Sequence, residues 1–326
     1  VSYNDDKLAK VIEDWRETVD FPARNASLSM TSGPVAPEPG RKLADEMARS
    51  IILKKLKEPG ISILPLPVAT VYPANTADDI ASTGIGEIWS SFTTSFNADN
   101  INRATNIKLA AAKINGRIVL PGNTFSFNEV VGPRERQFGF KEAMELVDGE
   151  LVPGIGGGIC QVSSTLYNAA LYANLAITER YNHSKPLVYI PLGRDATVVF
   201  GALDFKFTNN TAGPLMITAE IKDNKLLVGI FGRKKPNEQV ELATVNQQVI
   251  PPAVVKQTDS RLFLGETKVE RPGKPGYEVT TLRVVTSGGR EIRREVLSRD
   301  RYSPEDTVVK IGTLMPPFVR NGDAVD

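Results

Sequence analysis

Gly154-Ile155-Gly156-Gly157-Gly158-Ile159-Cys160-Gln161-Val162-Ser163-Ser164-Thr165-Leu166-Tyr167-Asn168-Ala169-Ala170 is the stretch on which the reading of this chain turns. A glycine triplet gives way to a segment in which Val162, Leu166, Ala169, Ala170, Ala173 and Ile177 share one helical face, while Tyr167 and Leu171 make the opposite face apolar too. A helix apolar all round has to be buried, so residues 159–177 are expected to form a central helix. Strand-like runs follow at 187–190, 197–200, 203–207, 215–221 and 225–231, the last two joined by Asp223-Asn224, and they predict an antiparallel sheet packed on that helix. The uncharged run 151–178 is long enough to cross a bilayer, but its glycines and Gln161, Ser163, Ser164, Thr165, Asn168 and Asn174 make it too polar, and no membrane span is read in the chain.

Upstream, Leu8, Val11, Ile12 and Trp15 recur at helical spacing, and Leu43, Met47, Ile51 and Leu56 predict a second helix after the breaker stretch 33–40. Prolines 65 and 67 restrict 61–71 to an edge strand or connector, and 73–85 reads as a small, polar linker, which places a domain boundary near residue 85. A helix over 102–114 with Ile107, Ala110, Ala111 and Ile114 on one face, stopped by Asn115-Gly116, precedes a short strand at 118–120. Past Pro251-Pro252 the chain is strand and turn only, with 278–285 and 291–297 forming a hairpin around Ser287-Gly288-Gly289 and no visible chemistry. The expected class is α+β in three parts: an N-terminal α+β domain (1–85), a central α+β domain with the buried helix on an antiparallel sheet (86–236), and a C-terminal all-β domain with its tail (237–326).

The 326 residues carry 39 Lys and Arg against 38 Asp and Glu, a net charge of +1 that gives no electrostatic footprint for nucleic acid. One cysteine excludes an intrachain disulfide, and one histidine excludes the usual Cys/His zinc sites, so neither metal nor cofactor is expected.

That single cysteine nevertheless sits at a helix start. Unpaired N–H groups and the positive end of the helix dipole stabilise a thiolate there. Glycines 156, 157 and 158, lacking Cβ atoms, would let a substrate backbone approach the sulfur. His183, 23 residues on, is the one available base. A third polar group must orient it. If Gly193-Arg194 tips a two-residue hairpin, the register sets His183 opposite Asp204; if 184–194 is a loop, Asp195 reaches His183 directly. The bland alternative is an inert core cysteine and a structural histidine.

With Ser91-Phe92-Thr93-Thr94-Ser95-Phe96-Asn97, Pro121-Gly122-Asn123-Thr124-Phe125-Ser126-Phe127-Asn128, Asn182-His183-Ser184 and Gly193-Arg194-Asp195-Ala196-Thr197, the Gly-Gly-Gly-Ile-Cys-Gln string resembles the VanW family over about 90–232. Residues 6–75 resemble, more weakly, the peptidoglycan-binding domain that often precedes a VanW domain, and 264–313 resemble a G5 domain. The resemblance implies a Gram-positive extracellular or surface protein, commonly tethered by an N-terminal membrane segment, with peptidoglycan as partner. The family is named for accessory genes of vancomycin-type resistance clusters. A cysteine opening a buried helix, then histidine and a carboxylate on successive strands, is also similar to the layout of transglutaminase-like and papain-like enzymes. That likeness makes Cys160 the nucleophile, His183 the base and Asp195 or Asp204 the orienter, with the Cys160 N–H and Gln161 as oxyanion donors and Gly156, Gly157, Gly158 and Ser163 contacting substrate. The implied activity is a cysteine-dependent amide hydrolase or acyl transferase on peptidoglycan stem peptides; the alternative is a non-catalytic wall-binding or adaptor protein.

Overall fold

The computed structural model describes residues 4–30, 32–57, 60, 63–147, 149–233 and 237–315. Its first helix, α1 (Asp5–Val19), is capped by Asn4, whose side chain accepts from the Lys7 N–H, and carries Asp5 and Asp6 against the positive helix end. Short strands β1 (Ser27–Ser29), β2 (Gly33–Val35) and β3 (Gly40–Leu43) lead to α2 (Asp45–Lys55), and β4 (Val68–Val71) returns to pair with β3. Ile12, Leu43 and Ala48 form a small core between these elements. The second helix differs from expectation: Leu43 belongs to β3, and Met47 and Leu56 are exposed.

Residues 73–85 are no linker. They contain α3 (Ala77–Thr83), started by a reciprocal cap between Thr76 and Asp79 and closed by Gly84 at φ 68°. Ile80 and Ile85 pack with Ala26, Met216 and Phe231, which fastens the N-terminal region to the central sheet.

The central part runs β5 (Glu87–Ser95), α4 (Ile101–Ile114), β6 (Arg117–Val119), β7 (Thr124–Ser126), α5 (Phe127–Val131), β8 (Glu142–Val147), β9 (Glu150–Ile155), α6 (Ile159–Tyr172), β10 (Ala176–Glu179), β11 (Lys206–Thr208), β12 (Leu215–Lys222) and β13 (Lys225–Gly232). An antiparallel sheet in the order β5-β13-β12-β6 packs against α6 and α4, and a smaller one orders β10-β11-β7. Asp223 and Asn224, both at positive φ, make the two-residue turn of the β12–β13 hairpin. Every α6 residue except Cys160 and Tyr172 is buried, and Val162, Leu166, Ala169 and Ala170 join Ile107, Ala110, Ile217 and Val228 in one core.

Helix α6 stops at Tyr172 rather than 177, because Asn174 turns into the left-handed region and Ile177 enters β10. The strands expected at 187–190 and 197–200 do not form. Prolines 186 and 191 remove ladder donors there, and only the Val199–Leu203 bridge remains. Of 203–207, only the end joins β11.

The C-terminal part is all β: β14 (Glu238–Ile250), β15 (Val254–Phe263), β16 (Thr267–Arg271), β17 (Gly276–Ser287), β18 (Arg290–Tyr302) and β19 (Thr307–Leu314). They form two three-stranded sheets, β14-β17-β18 and β15-β19-β16, with β15 and β19 parallel. The expected hairpin is β17–β18, turned by Gly288 and Gly289 at φ 56° and 78°. The whole is α+β, the expected tail beyond 315 lies outside the described residues, and no helix among those is long and apolar enough to cross a membrane.

Candidate active site

Cys160 is the second residue of α6, after a left-handed Gly158 that caps the helix without a side chain. The residue is partly exposed, and its sulfur lies 3.6 Å from the Val198 carbonyl oxygen. His183, on the loop after β10, is near enough to Cys160 for each side chain to favour the charged form of the other. Its Nδ1 lies 2.6 Å from Asp195 Oδ2, and its backbone N–H donates to the same oxygen, also at 2.6 Å. The carboxylate at Nδ1 leaves Nε2 for the sulfur.

The loop alternative is therefore the one realised, with Asp195 beside His183. Asp204 is elsewhere: its carboxylate accepts from Ser126 Oγ, from the Asn128 N–H at 2.9 Å and from its own chain at Phe205, tying down the first turn of α5. It does not orient His183.

Side chains of α6 hold the aspartate loop in place. Ser163 Oγ donates to Ala196 O at 2.7 Å, Ser164 Oγ accepts from the Ala196 N–H at 2.9 Å, and Asn168 donates to Arg194 O at 2.7 Å. Ser163 is thus a fully buried scaffold residue and not a substrate contact. Gln161 is also spent: its amide donates to Thr94 Oγ1 and Ser95 O and accepts from Arg103 at 2.8 Å. With both amide protons used, it has none to offer an oxyanion.

The glycine triplet makes room for protein, not substrate. A Cβ on Gly156 would meet Arg134 and Ile159, one on Gly157 would lie 2.6 Å from Met144 O and 2.8 Å from Ala143 C, and one on Gly158 would meet Arg103 and Ile107. Backbone atoms cannot swing aside as a side chain can. Gly157→Ala should therefore lose about 1–3 kcal/mol of stability, read as a lowered denaturant midpoint, whereas Gly86→Ala, with open space around it, should stay within about 0.5 kcal/mol.

Charges surround the sulfur. Burial pushes the Cys160 thiol up, but the hydrogen bond and charge of His183, the Val198 backbone and the Arg134 guanidinium together bring it below its ordinary value. Burial works against a charged His183 as well, yet its hydrogen bonds and charge interactions with Asp195 and Cys160 push it up to about 9. Asp195 is held below the usual carboxylate range, burial being outweighed by His183, Arg180 and a hydrogen bond from Tyr302. These shifts all favour the charged forms, a thiolate beside an imidazolium beside a carboxylate.

Sequence reasoning missed four of the charged neighbours and Tyr302. Arg103 stacks near Tyr189 and Arg134 near Phe200, flanking the glycine triplet, while Arg180 and Asp300 stand behind Asp195. Nothing in their spacing marks them, since each reaches the site only through tertiary packing. Two clefts of about 590 Å³ open elsewhere, one against α1 and α2 and one between β10 and β18, and Cys160 lines neither. No group of three or more His, Cys, Asp or Glu among the described residues could hold a metal.

The model of the family described as VanW like protein matches residues 102–231, and that of the G5 domain matches 241–314. The chain is 35% identical over 235 residues to "Uncharacterized protein YoaR" of Bacillus subtilis (strain 168), spanning 72% of this chain and 77% of that one. It is 31% identical over 154 residues to "Vancomycin B-type resistance protein VanW" of Enterococcus faecalis (strain ATCC 700802 / V583), spanning 46% of this chain and 56% of that one. Among solved structures, the IgA1 protease G5 domain aligns over 25% of this chain and 95% of its own at 26% identity and a TM-score of 0.20. The HP0197 G5 domain aligns over 24% of this chain and 100% of its own at 19% identity and a TM-score of 0.17.

Proposed function

The chain belongs to the VanW family, as a cell-envelope protein with a C-terminal G5 domain, and on that premise we propose that it is a cysteine-dependent amide hydrolase or acyl transferase acting on peptidoglycan stem peptides. The observation that carries this reading is the line Cys160–His183–Asp195 at the start of a buried helix. A cysteine kept only for packing does not need a buried histidine and carboxylate in series.

In this reading the Cys160 thiolate attacks the amide carbonyl carbon and forms a C–S bond. The tetrahedral oxyanion is held by the Cys160 N–H in the first turn of α6, where the N–H groups on either side are already taken by Gly156 and Gly158 carbonyls. The C–N bond then breaks as the His183 imidazolium gives its proton to the leaving amine, which leaves a thioester and a neutral imidazole. Water, or the amine of a second stem peptide, attacks the thioester while His183 takes back a proton, and the thiolate returns. Asp195 keeps Nδ1 engaged throughout, so the ring presents Nε2 to the reaction. Val199 and Phe200, half exposed just after the Val198 that touches the sulfur, offer an apolar lip to the acyl chain.

The test is incubation of the protein with a panel of muropeptides, with products and protein mass read by mass spectrometry. A shortened or exchanged stem peptide, with an acyl adduct trapped on wild type and absent from Cys160→Ala, is expected. Identical products from the two proteins across the panel would sink the reading.

A further inference from the structure

Asp195 is held from two domains. Its Oδ2 serves His183, while its Oδ1 accepts from Arg180 Nη2 at 3.0 Å and from the hydroxyl of Tyr302, the last residue of β18. The same Tyr302 oxygen accepts from the Gly193 N–H at 2.8 Å, two residues before Asp195. Arg180 in turn donates to the Asp195 carbonyl at 2.6 Å and to Asp300 Oδ1 of β18 at 2.6 Å, and Ser298 holds the other Asp300 oxygen. Tyr302 is 1% exposed, and the Arg180, Asp195 and Asp300 side chains are nearly as deep.

The loop that carries His183 and Asp195 is thus closed between α6 on one side and the C-terminal sheet on the other. Further bonds follow the same seam: the Ser303 N–H to Ser184 O at 2.7 Å, Asn182 to Arg301 O at 2.9 Å, and Lys185 to Pro304 O. Gly193 lets the sheet come close, since a Cβ there would lie 2.0 Å from Thr281 Oγ1. Taking ionised groups out of water is costly, and apolar contact would join two domains at less expense. Arg180 and Tyr302 instead converge on the one oxygen that His183 leaves free, with Asp300 behind Arg180.

We propose that the G5 domain is part of the reactive centre, supplying Tyr302 and Asp300 as positioning residues that fix Asp195 against His183, so that its docking sets the reactivity of Cys160. This rests on the reading of Cys160 as a nucleophile. Tyr302 touches no reacting atom. Its hydroxyl acts through Asp195 and through the Gly193 backbone, and removing it takes one bond from each end of the 193–195 segment. The groups that face the line are His183, Arg103, Arg134 and Tyr189 around Cys160, and Arg180 and Tyr302 around Asp195, with Asp300 and the Tyr167 ring against Arg180.

The experiment measures iodoacetamide alkylation of Cys160, the one thiol, against pH in the full chain. Tyr302→Phe keeps the ring and loses the bonds, and Asp300→Asn keeps the shape and loses the charge. Each should raise the pH of half-maximal labelling by about half a unit, a roughly threefold loss of rate on the acid side. Lys185→Ala, which cuts a bond between the domains without touching Asp195, should leave the profile at the wild-type position. An unchanged or lowered midpoint in Tyr302→Phe and Asp300→Asn would overturn the proposal, as would an equal shift in Lys185→Ala, which would mean general loosening. Should Tyr302→Phe fail to fold, Asp300→Asn decides alone. His183→Ala separates the two readings: if it shifts the profile and the β18 variants do not, positioning by the G5 domain fails and the nucleophile stands; if it shifts nothing, the nucleophile reading fails first.

Discussion

His183→Ala raises the pH of half-maximal Cys160 labelling by about one unit or more, because it removes both the hydrogen bond and the positive charge that stabilise the thiolate. Alkylation of the wild type should extend to lower pH than that of the variant, which at a given acidic pH should label roughly tenfold more slowly, with the Val198 backbone and Arg134 as the remaining stabilisers. Turnover of a stem peptide should fall further, by about 10²–10⁴-fold, since the ring assigned to protonate the leaving amine is gone. The alkaline side carries a second sign. His183 has a pKa raised to about 9, so it stays protonated well above the ordinary imidazole value and loses its proton as pH rises through about 9. Acylation should decline there although the thiolate remains. Rates between pH 5 and 10 check both limbs, and a labelling profile identical to wild type would mean that the two side chains do not interact.

Asp195→Ala should damage stability and activity together. The carboxylate accepts two bonds from His183 and one each from Arg180 and Tyr302, all buried. Removing it strands these donors and leaves Asp300 as the one carboxylate paired with Arg180, at a cost of about 3–5 kcal/mol, the range for breaking a buried pair. Tm should drop on the order of 10 °C by calorimetry. Turnover should fall by about 10⁴, the magnitude associated with loss of histidine orientation in a triad. Asp195 has a depressed pKa, so its contribution is present above the unfolded carboxylate value near 3.9 and is lost as pH falls through the native one. Wild type should therefore lose stability in acid more steeply than the variant. A variant as stable and as active as wild type would remove Asp195 from the site.

The buried helix was legible because its apolar residues leave no polar face, and the hairpins were legible from their turns: Asp223-Asn224 and Gly288-Gly289 demand positive φ and have it. The runs 187–190 and 197–200 read as strands because local alternation does not show that the residues between them, at Arg194 and Ala196, bond to Ser163, Ser164 and Asn168 of a helix and not to a neighbouring strand. The linker reading of 73–85 overlooked Thr76 and Asp79, three apart, as a helix start. In the site, Cys160 and His183 stood out by scarcity, whereas Gln161 and Ser163 stood out only by adjacency, and neighbours in a helix point to different sides. The choice between Asp195 and Asp204 needed the loop's path. Tyr302 and Asp300 could not be foreseen, because nothing local to β18 encodes the 107 and 120 residues of separation from their partners Asp195 and Arg180.

Those separations also set an order of assembly. A chain growing from its N-terminus releases α6, His183 and Asp195 long before β18, and the C-terminal domain cannot close early either, because Val254 of β15 must wait for Thr307 of β19. Contacts between such distant residues form late in folding. During synthesis the cysteine is therefore present while the groups that steady its carboxylate are still to be made. The same seam that completes the centre delays it, and the thiol comes under the full influence of its neighbours only once the protein is whole.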